Sequence, residues 1–323
     1  MSEVGKHNDK LLLGGCLAAA ATLVLGLERL LERSSLPTAQ GNRVPASIPK
    51  RKPAYVPVKL NPQSAFASVP GPSPDPPEVV GKFWSGCLQG ASELPTEGPG
   101  FQRMRLSRKR GFGHPKLTEV VREIAERTKR EGYGDLLVGD LSQARGGPMI
   151  GGHRSHQSGL DADLWFATSR DFGARRLSLG ERESLSAVDM VSRDGRSLTP
   201  AFGSAQRRLL EWAARDERVQ RIFVNPRIKK ALCQEPRYQR VYWMRKIRPA
   251  FGHNYHFHVR LACPAGDRRC FDQPETARFE NGCDAELDSW FTADGRLKAP
   301  PPAKESPDFY VPRECLALLK AER

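Results

Sequence analysis

No Cys-x-x-Cys pair occurs among the seven cysteines, so a structural zinc cluster closed by paired thiolates is not encoded. No His-Glu-x-x-His occurs either, which excludes the zinc-protease arrangement whose helix carries two ligands and a glutamate base. Helix-turn-helix and zinc-finger spacings are missing, and no aromatic cluster sits among the lysines and arginines as a stacking surface. No nucleic-acid partner is expected. There is no internal repeat. Charge is missing altogether from Leu11 to Leu27, an apolar run behind Lys6 and Lys10. It falls slightly short of the ~20 residues of a usual bilayer-spanning helix. Residues 1–34 therefore read as a signal peptide, with Ala18-Ala19-Ala20 as a cleavage site, or as an uncleaved N-terminal membrane anchor. Either reading exports the rest of the chain.

What is present suits a soluble globular body: 323 residues, 39% hydrophobic and 27% charged. The net charge is +14, and residues 81–323 hold 42 basic against 31 acidic side chains, a net of +11. A basic folded part implies an acidic partner such as a carboxylate-rich polymer. With Cys16 set aside in the apolar run, six cysteines remain: Cys87, Cys233, Cys263, Cys270, Cys283 and Cys315. An even number in an exported domain predicts three disulfides, with all about fifteen pairings open.

Residues 35–80 hold 11 of the 26 prolines and little apolar periodicity, which reads as a semi-rigid linker. Residues 81–323 form the body. His114-Pro115 opens a helix whose Leu117, Val120, Val121 and Ile124 recur at helical spacing before Gly132 ends it. Strands are expected at 135–141, 161–166, 219–224 and 255–262, and helices at 204–216 and 226–232. A glycine-rich loop, Arg145 to Gly152, leads into the first histidine cluster, and the tail after Cys263 reads as loop tied down by bridges. The fold class expected is α+β: a mainly antiparallel sheet with flanking helices and disulfide-stapled loops.

Five of the seven histidines fall in two short stretches, His153 and His156 in one and His253, His256 and His258 in the other. A lone histidine is usually a surface or core residue, but five beside two aspartates are hard to explain as packing. Residues two apart on a strand share a face. His256, His258 and Arg260 thus point one way while Phe257, Val259 and Leu261 point to the core. The same rule pairs Asp161 with Asp163. Imidazole nitrogens with a carboxylate oxygen are zinc's usual donors in an open, catalytic site, whereas structural zinc more often closes with cysteine. The residues by themselves predict a two-histidine, one-carboxylate zinc site, and spacing alone does not say which histidines bind.

Gly152-His-Arg-Ser-His-Gln-Ser-Gly-Leu-Asp-Ala-Asp163 and His253-Asn-Tyr-His-Phe-His-Val-Arg-Leu-Ala-Cys-Pro264 resemble the signatures of the penicillin-insensitive murein endopeptidases. That family sits in a wider zinc-peptidase group with lysostaphin-type enzymes, D-Ala-D-Ala peptidases and the hedgehog amino-terminal domain. Five further blocks, at residues 85–95, 112–115, 189–195, 221–226 and 283–291, extend the resemblance over roughly 83–318. It implies Zn2+ held by His156, Asp163 and His258, with His256 as the catalytic histidine and His153 and His253 lining the cleft. It makes Asp161 a partner of a ligand; His114 follows the family pattern but, at a helix start, reads as structural. Asp194 matches a position that can contact an additional ion, but Ser197 replaces the accompanying histidine. The pairings implied are Cys87–Cys315, Cys233–Cys283 and Cys263–Cys270. The activity implied is hydrolysis of D-alanyl–meso-diaminopimelyl cross-links in peptidoglycan, in the periplasm, without inhibition by β-lactams. Two other readings stand beside it. One is a zinc D,D- or L,D-carboxypeptidase trimming stem peptides, and the other a non-catalytic wall-binding protein with a vestigial zinc site.

Overall fold

Three alternating segments of the second half of the chain, each polar on one side and apolar on the other, form the centre of a seven-stranded sheet. The computed structural model describes residues 54–57, 61–151, 154–274, 281–301 and 310–320, all within the unit spanning residues 49–323. Its strands are β1 (Tyr55–Pro57), β2 (Glu78–Lys82), β3 (Ser85–Gln89), β4 (Ser92–Glu93), β5 (Glu97–Gly98), β6 (Phe101–Arg103), β7 (Phe112–Gly113), β8 (Leu136–Val138), β9 (Asp161–Thr168), β10 (Val219–Val224), β11 (Ile247–Pro249), β12 (His256–Leu261) and β13 (Tyr310–Pro312). The helices are α1 (Pro62–Ala67), α2 (Pro115–Arg130), α3 (Leu179–Ser184), α4 (Ser204–Arg215), α5 (Pro226–Gln234), α6 (Ala285–Asp288) and α7 (Arg313–Lys320).

The large sheet runs β11-β10-β12-β9-β8-β6-β5. Pairing is antiparallel except for the parallel β10–β11 and β6–β8 pairs. The fold is α+β and mostly antiparallel, as the patterning requires. One face of the central strands carries Ala162, Leu164, Phe166, Phe257, Val259, Leu261, Ile222 and Val224, all buried in the main core with the apolar sides of α2 and α4. α2 begins as expected: His114 caps it, its Nδ1 accepting from the Lys116 N–H, with Pro115 in the first turn. Gly132, at φ +79°, follows its end.

Three sequence expectations are corrected. β8 covers 136–138 rather than 135–141, because the chain then bends away: the Leu141 and Ser142 N–H groups donate to Arg110 and Phe112 carbonyls. Residues 61–80, assigned to the linker, belong to the folded body. Phe66 on α1 is 1% exposed in a second core with Val80, Cys87, Val311, Cys315 and Leu318, and β1 pairs antiparallel with β13. Proline content concealed one apolar anchor. Gly147 leaves room for it: a Cβ there would stand 2.3 Å from the Phe66 ring, at φ +76°. The tail likewise contains α6, β13 and α7 as well as loop.

The disulfides are Cys87–Cys315, Cys233–Cys283 and Cys263–Cys270. Among the described residues no helix is long and apolar enough to cross a membrane; the run at Leu11–Leu27 lies outside them.

Candidate metal centre

The polar face of the sheet centre is ordered by register. Trp165 of β9 opposes His256 of β12. One row along, Asp163 of β9, His258 of β12 and Phe223 of β10 lie side by side. The next row is Asp161, Arg260 and Arg221. Side chains directly opposite one another on a face are in contact range. The sheet therefore brings His258 to Asp163, though 95 positions separate them in the chain.

The second histidine arrives from a loop. His156 follows the glycine-rich segment with φ +71°, a left-handed conformation that costs a non-glycine residue roughly 1–2 kcal/mol. Its carbonyl is pinned by the Ser142 hydroxyl (2.6 Å) and the Gly159 N–H (3.3 Å), which hold that turn in place. The ring is 1% exposed and its Nε2 faces Asp163 Oδ1 at 3.4 Å. His258 Nδ1 faces the same oxygen at 3.1 Å.

These donor atoms fit a divalent ion. Zinc bonds of ~2.1 Å in a tetrahedron require donors about 3.4 Å apart, close to both separations. The ligand atoms of His156, Asp163 and His258 all lie within 4.8 Å of one another, on residues that are each buried. His258 can present only Nδ1. Its Nε2 donates to Asp161 Oδ1 (2.5 Å), since a carboxylate only accepts, which leaves Nδ1 as the nitrogen turned to the other donors. Arg260 Nε holds the same carboxylate oxygen at 2.7 Å. Asp161 is thus a fully buried partner of a candidate ligand, not a solvated strand carboxylate.

Electrostatics follow from this crowding. Burial opposes charge on every member. For Asp161 the charges of Arg260 and His258 outweigh it and hold the carboxyl well below its usual range. Asp163 is lowered likewise by His156 and His256. Against burial, Asp163 and Asp161 together raise His156 to about 9. His253, at φ +54°, goes the other way: burial and the charges of His256 and His258 push it down to about 3. Its Nδ1 donates to the Phe251 carbonyl (2.8 Å), leaving Nε2 as the unprotonated nitrogen.

His256 stands beside the group without joining it: its Nε2 is 3.6 Å from Asp163 Oδ1, and its ring lies between those of His253 and Tyr255, with centroids 4.9 and 4.5 Å away. All of these except Tyr255 and Asp161 line one cleft of about 490 Å³. His153 lies outside the described residues, as does His7. Asp194 is elsewhere, in an exposed turn where it accepts from Ser192 and Arg196. His114 is buried and neutral, its pKa pushed down to about 4 by burial, in keeping with a capping role. The aromatic walls at Phe83, Phe223 and Phe251 were not singled out from the sequence. Period two puts Phe223 on a face with Arg221, but only strand order shows that this face adjoins His258.

Comparison with known proteins agrees with the arrangement. The family described as penicillin-insensitive murein endopeptidase matches residues 79–320. Proteins named penicillin-insensitive murein endopeptidase are similar to this chain in several enterobacteria. The one from Klebsiella pneumoniae subsp. pneumoniae is 40% identical over 243 residues, covering 75% of this chain and 86% of its own. That from Yersinia enterocolitica is 39% identical over 249 residues, with 75% and 86% covered. That from Salmonella paratyphi B is 40% identical over 249 residues, with 77% and 88% covered. Three-quarters of the sequence, including both histidine clusters and all six bridged cysteines, therefore places this chain in the penicillin-insensitive murein endopeptidase family.

Proposed function

We propose that this protein is a zinc endopeptidase that hydrolyses D-alanyl–meso-diaminopimelyl cross-links in peptidoglycan. The observation that carries the proposal is the convergence of His156 Nε2 and His258 Nδ1 on Asp163 Oδ1, each at a tetrahedral-edge distance, on the floor of an open cleft. A closed structural site would spend its fourth corner on another protein ligand. When bound, zinc would polarise the scissile carbonyl and lower the pKa of the attacking water.

The chain's own residues do the rest. His156, Asp163 and His258 hold the ion, and Asp161 with Arg260 keeps His258 turned by its Nδ1. With no glutamate in a base position, His256 handles the proton, a task an imidazole side chain is suited to. Neutral His253 stands next to it without setting a like charge against it. Phe223 and Phe251 exclude water from one wall. No serine is acylated in this scheme, so β-lactams do not inhibit.

Three disulfides fit an oxidising compartment, and the substrate lies in the cell wall, so the proposed location is the periplasm. The deciding experiment is digestion of purified cross-linked peptidoglycan with and without a chelator, with products identified by mass. Cross-linked dimers should fall to monomers, and chelation should stop this. Release of single terminal residues instead would make the protein a carboxypeptidase. Digestion indifferent to chelation would remove the zinc mechanism, and no digestion at all would leave a wall-binding protein.

A further inference from the structure

Among the described residues two arginines line the cleft, Arg154 and Arg260. Arg260 is already committed: it is 4% exposed, its Nε on Asp161 and its Nη1 on Gln273 Oε1, both at 2.7 Å, with its guanidinium over the Phe83 ring. Arg154 is different. Its side chain is exposed, and among the described residues no carboxylate lies at ion-pair distance from it. Among the described residues the cleft's one lining carboxylate, Asp163, belongs to the metal group. Among the described residues the cleft therefore keeps an unneutralised positive charge beside the proposed metal site.

That charge is well placed. Arg154 precedes His156 by two residues, and its carbonyl accepts from Gln157 Nε2 at 3.0 Å. Gln157 is 2% exposed, and its N–H donates to the Phe83 carbonyl at 3.2 Å. The backbone under Arg154 is thus tied to the cleft wall while its guanidinium stays free to meet a ligand.

The geometry points to Arg154 as the residue that recognises a free carboxylate on the amine side of the bond being cut. This rests on the cross-link hydrolysis proposed above. In a D-alanyl–meso-diaminopimelyl cross-link the scissile nitrogen is attached to a carbon that also bears a carboxylate. Whatever grips that carboxylate has to stand beside the metal, as a side chain two residues from a ligand does. The planar guanidinium fork takes a carboxylate through two parallel hydrogen bonds, which a water-exposed lysine does not reproduce. Arg154 thereby makes the enzyme selective for cross-links whose diaminopimelate is not amidated.

The test uses soluble cross-linked dimers in three forms: all carboxylates free, the diaminopimelate carboxylate next to the scissile bond converted to the amide, or the glutamate α-carboxylate converted instead. The wild-type protein should prefer the free form over the first amide by about tenfold in kcat/KM, the low end for a charged hydrogen bond. In Arg154→Ala that ratio should collapse towards one, mainly through KM on the free form, and Arg154→Lys should restore only part of it. An unaltered ratio in Arg154→Ala overturns the proposal. So does an Arg154 dependence that follows the glutamate carboxylate. If the wild-type protein cleaves none of the three, the endopeptidase reading fails first and takes this inference with it.

Discussion

His258 has one ring nitrogen committed to Asp161 and the other turned to Asp163, and the side chains around it carry separate predictions. His156, Asp163 and His258 offer a donor each, so replacing any one with Ala should reduce bound zinc from one per chain to a trace and abolish activity. Elemental analysis of the purified variants checks this, and stoichiometric zinc in any of them refutes the ligand set. His256 offers its nitrogen to the reaction instead. His256→Ala should keep its zinc and lose turnover by about 10²–10⁴-fold, the usual worth of a positioned acid–base group. Unchanged turnover would remove that role. Asp161 acts through His258 Nε2. Asp161→Asn should weaken zinc affinity by roughly 10–100-fold, as for other partners of metal-bound histidines, and chelator competition measures it. An affinity equal to the parent's would mean that His258 needs no such partner.

At the level of elements, the helices and strands place charge where folding must accommodate it. Lys229 on α5 is 0% exposed, its Nζ donating to the Met244 (2.8 Å) and Asn281 (2.6 Å) carbonyls. Burial, with the Arg248 charge, pushes its pKa down from 10.5 to about 7. Between those two values the unfolded chain holds a proton that the native one has shed. The cost of burying the charge is full below pH 7 and disappears as pH rises through the window, so stability should rise with pH there. Lys229→Met should flatten that slope, and denaturant unfolding of both proteins at pH 7 and 9 reads it. Equal slopes in the two proteins would mean that Lys229 does not titrate in that range. The elements also show which patterns are legible. β10 spans 219–224 as expected, and α2, α4 and α5 begin at the residues expected, α2 and α5 each behind a side-chain cap and a proline. α7 was missed because its apolar positions sit in a short segment after a Pro- and Gly-rich tail.

For the whole molecule, the consequential finding is that the folded unit reaches back before residue 81. Phe66 fills a core whose other members come from β2, β3, β13 and α7, and the Cys87–Cys315 bridge crosses the same core. Phe66→Ala should cost about 3 kcal/mol, the lower range for a buried phenylalanine. A protein starting at residue 81 should melt below one starting at residue 54. Identical melting temperatures would return residues 61–80 to the linker.

The amino-acid sequence by itself determined what each face of each strand carries, because side-chain direction alternates with period two and needs no knowledge of neighbours. It thereby set His256, His258 and Arg260 on one side of one strand and Asp161 and Asp163 on one side of another. Strand order is a long-range choice made by the packing of the whole core, and local periodicity does not contain it. Tertiary structure alone therefore put His258 between Asp163 and Phe223. It also brought His156 in from a left-handed turn and, among the described residues, left Arg154 without a carboxylate beside it.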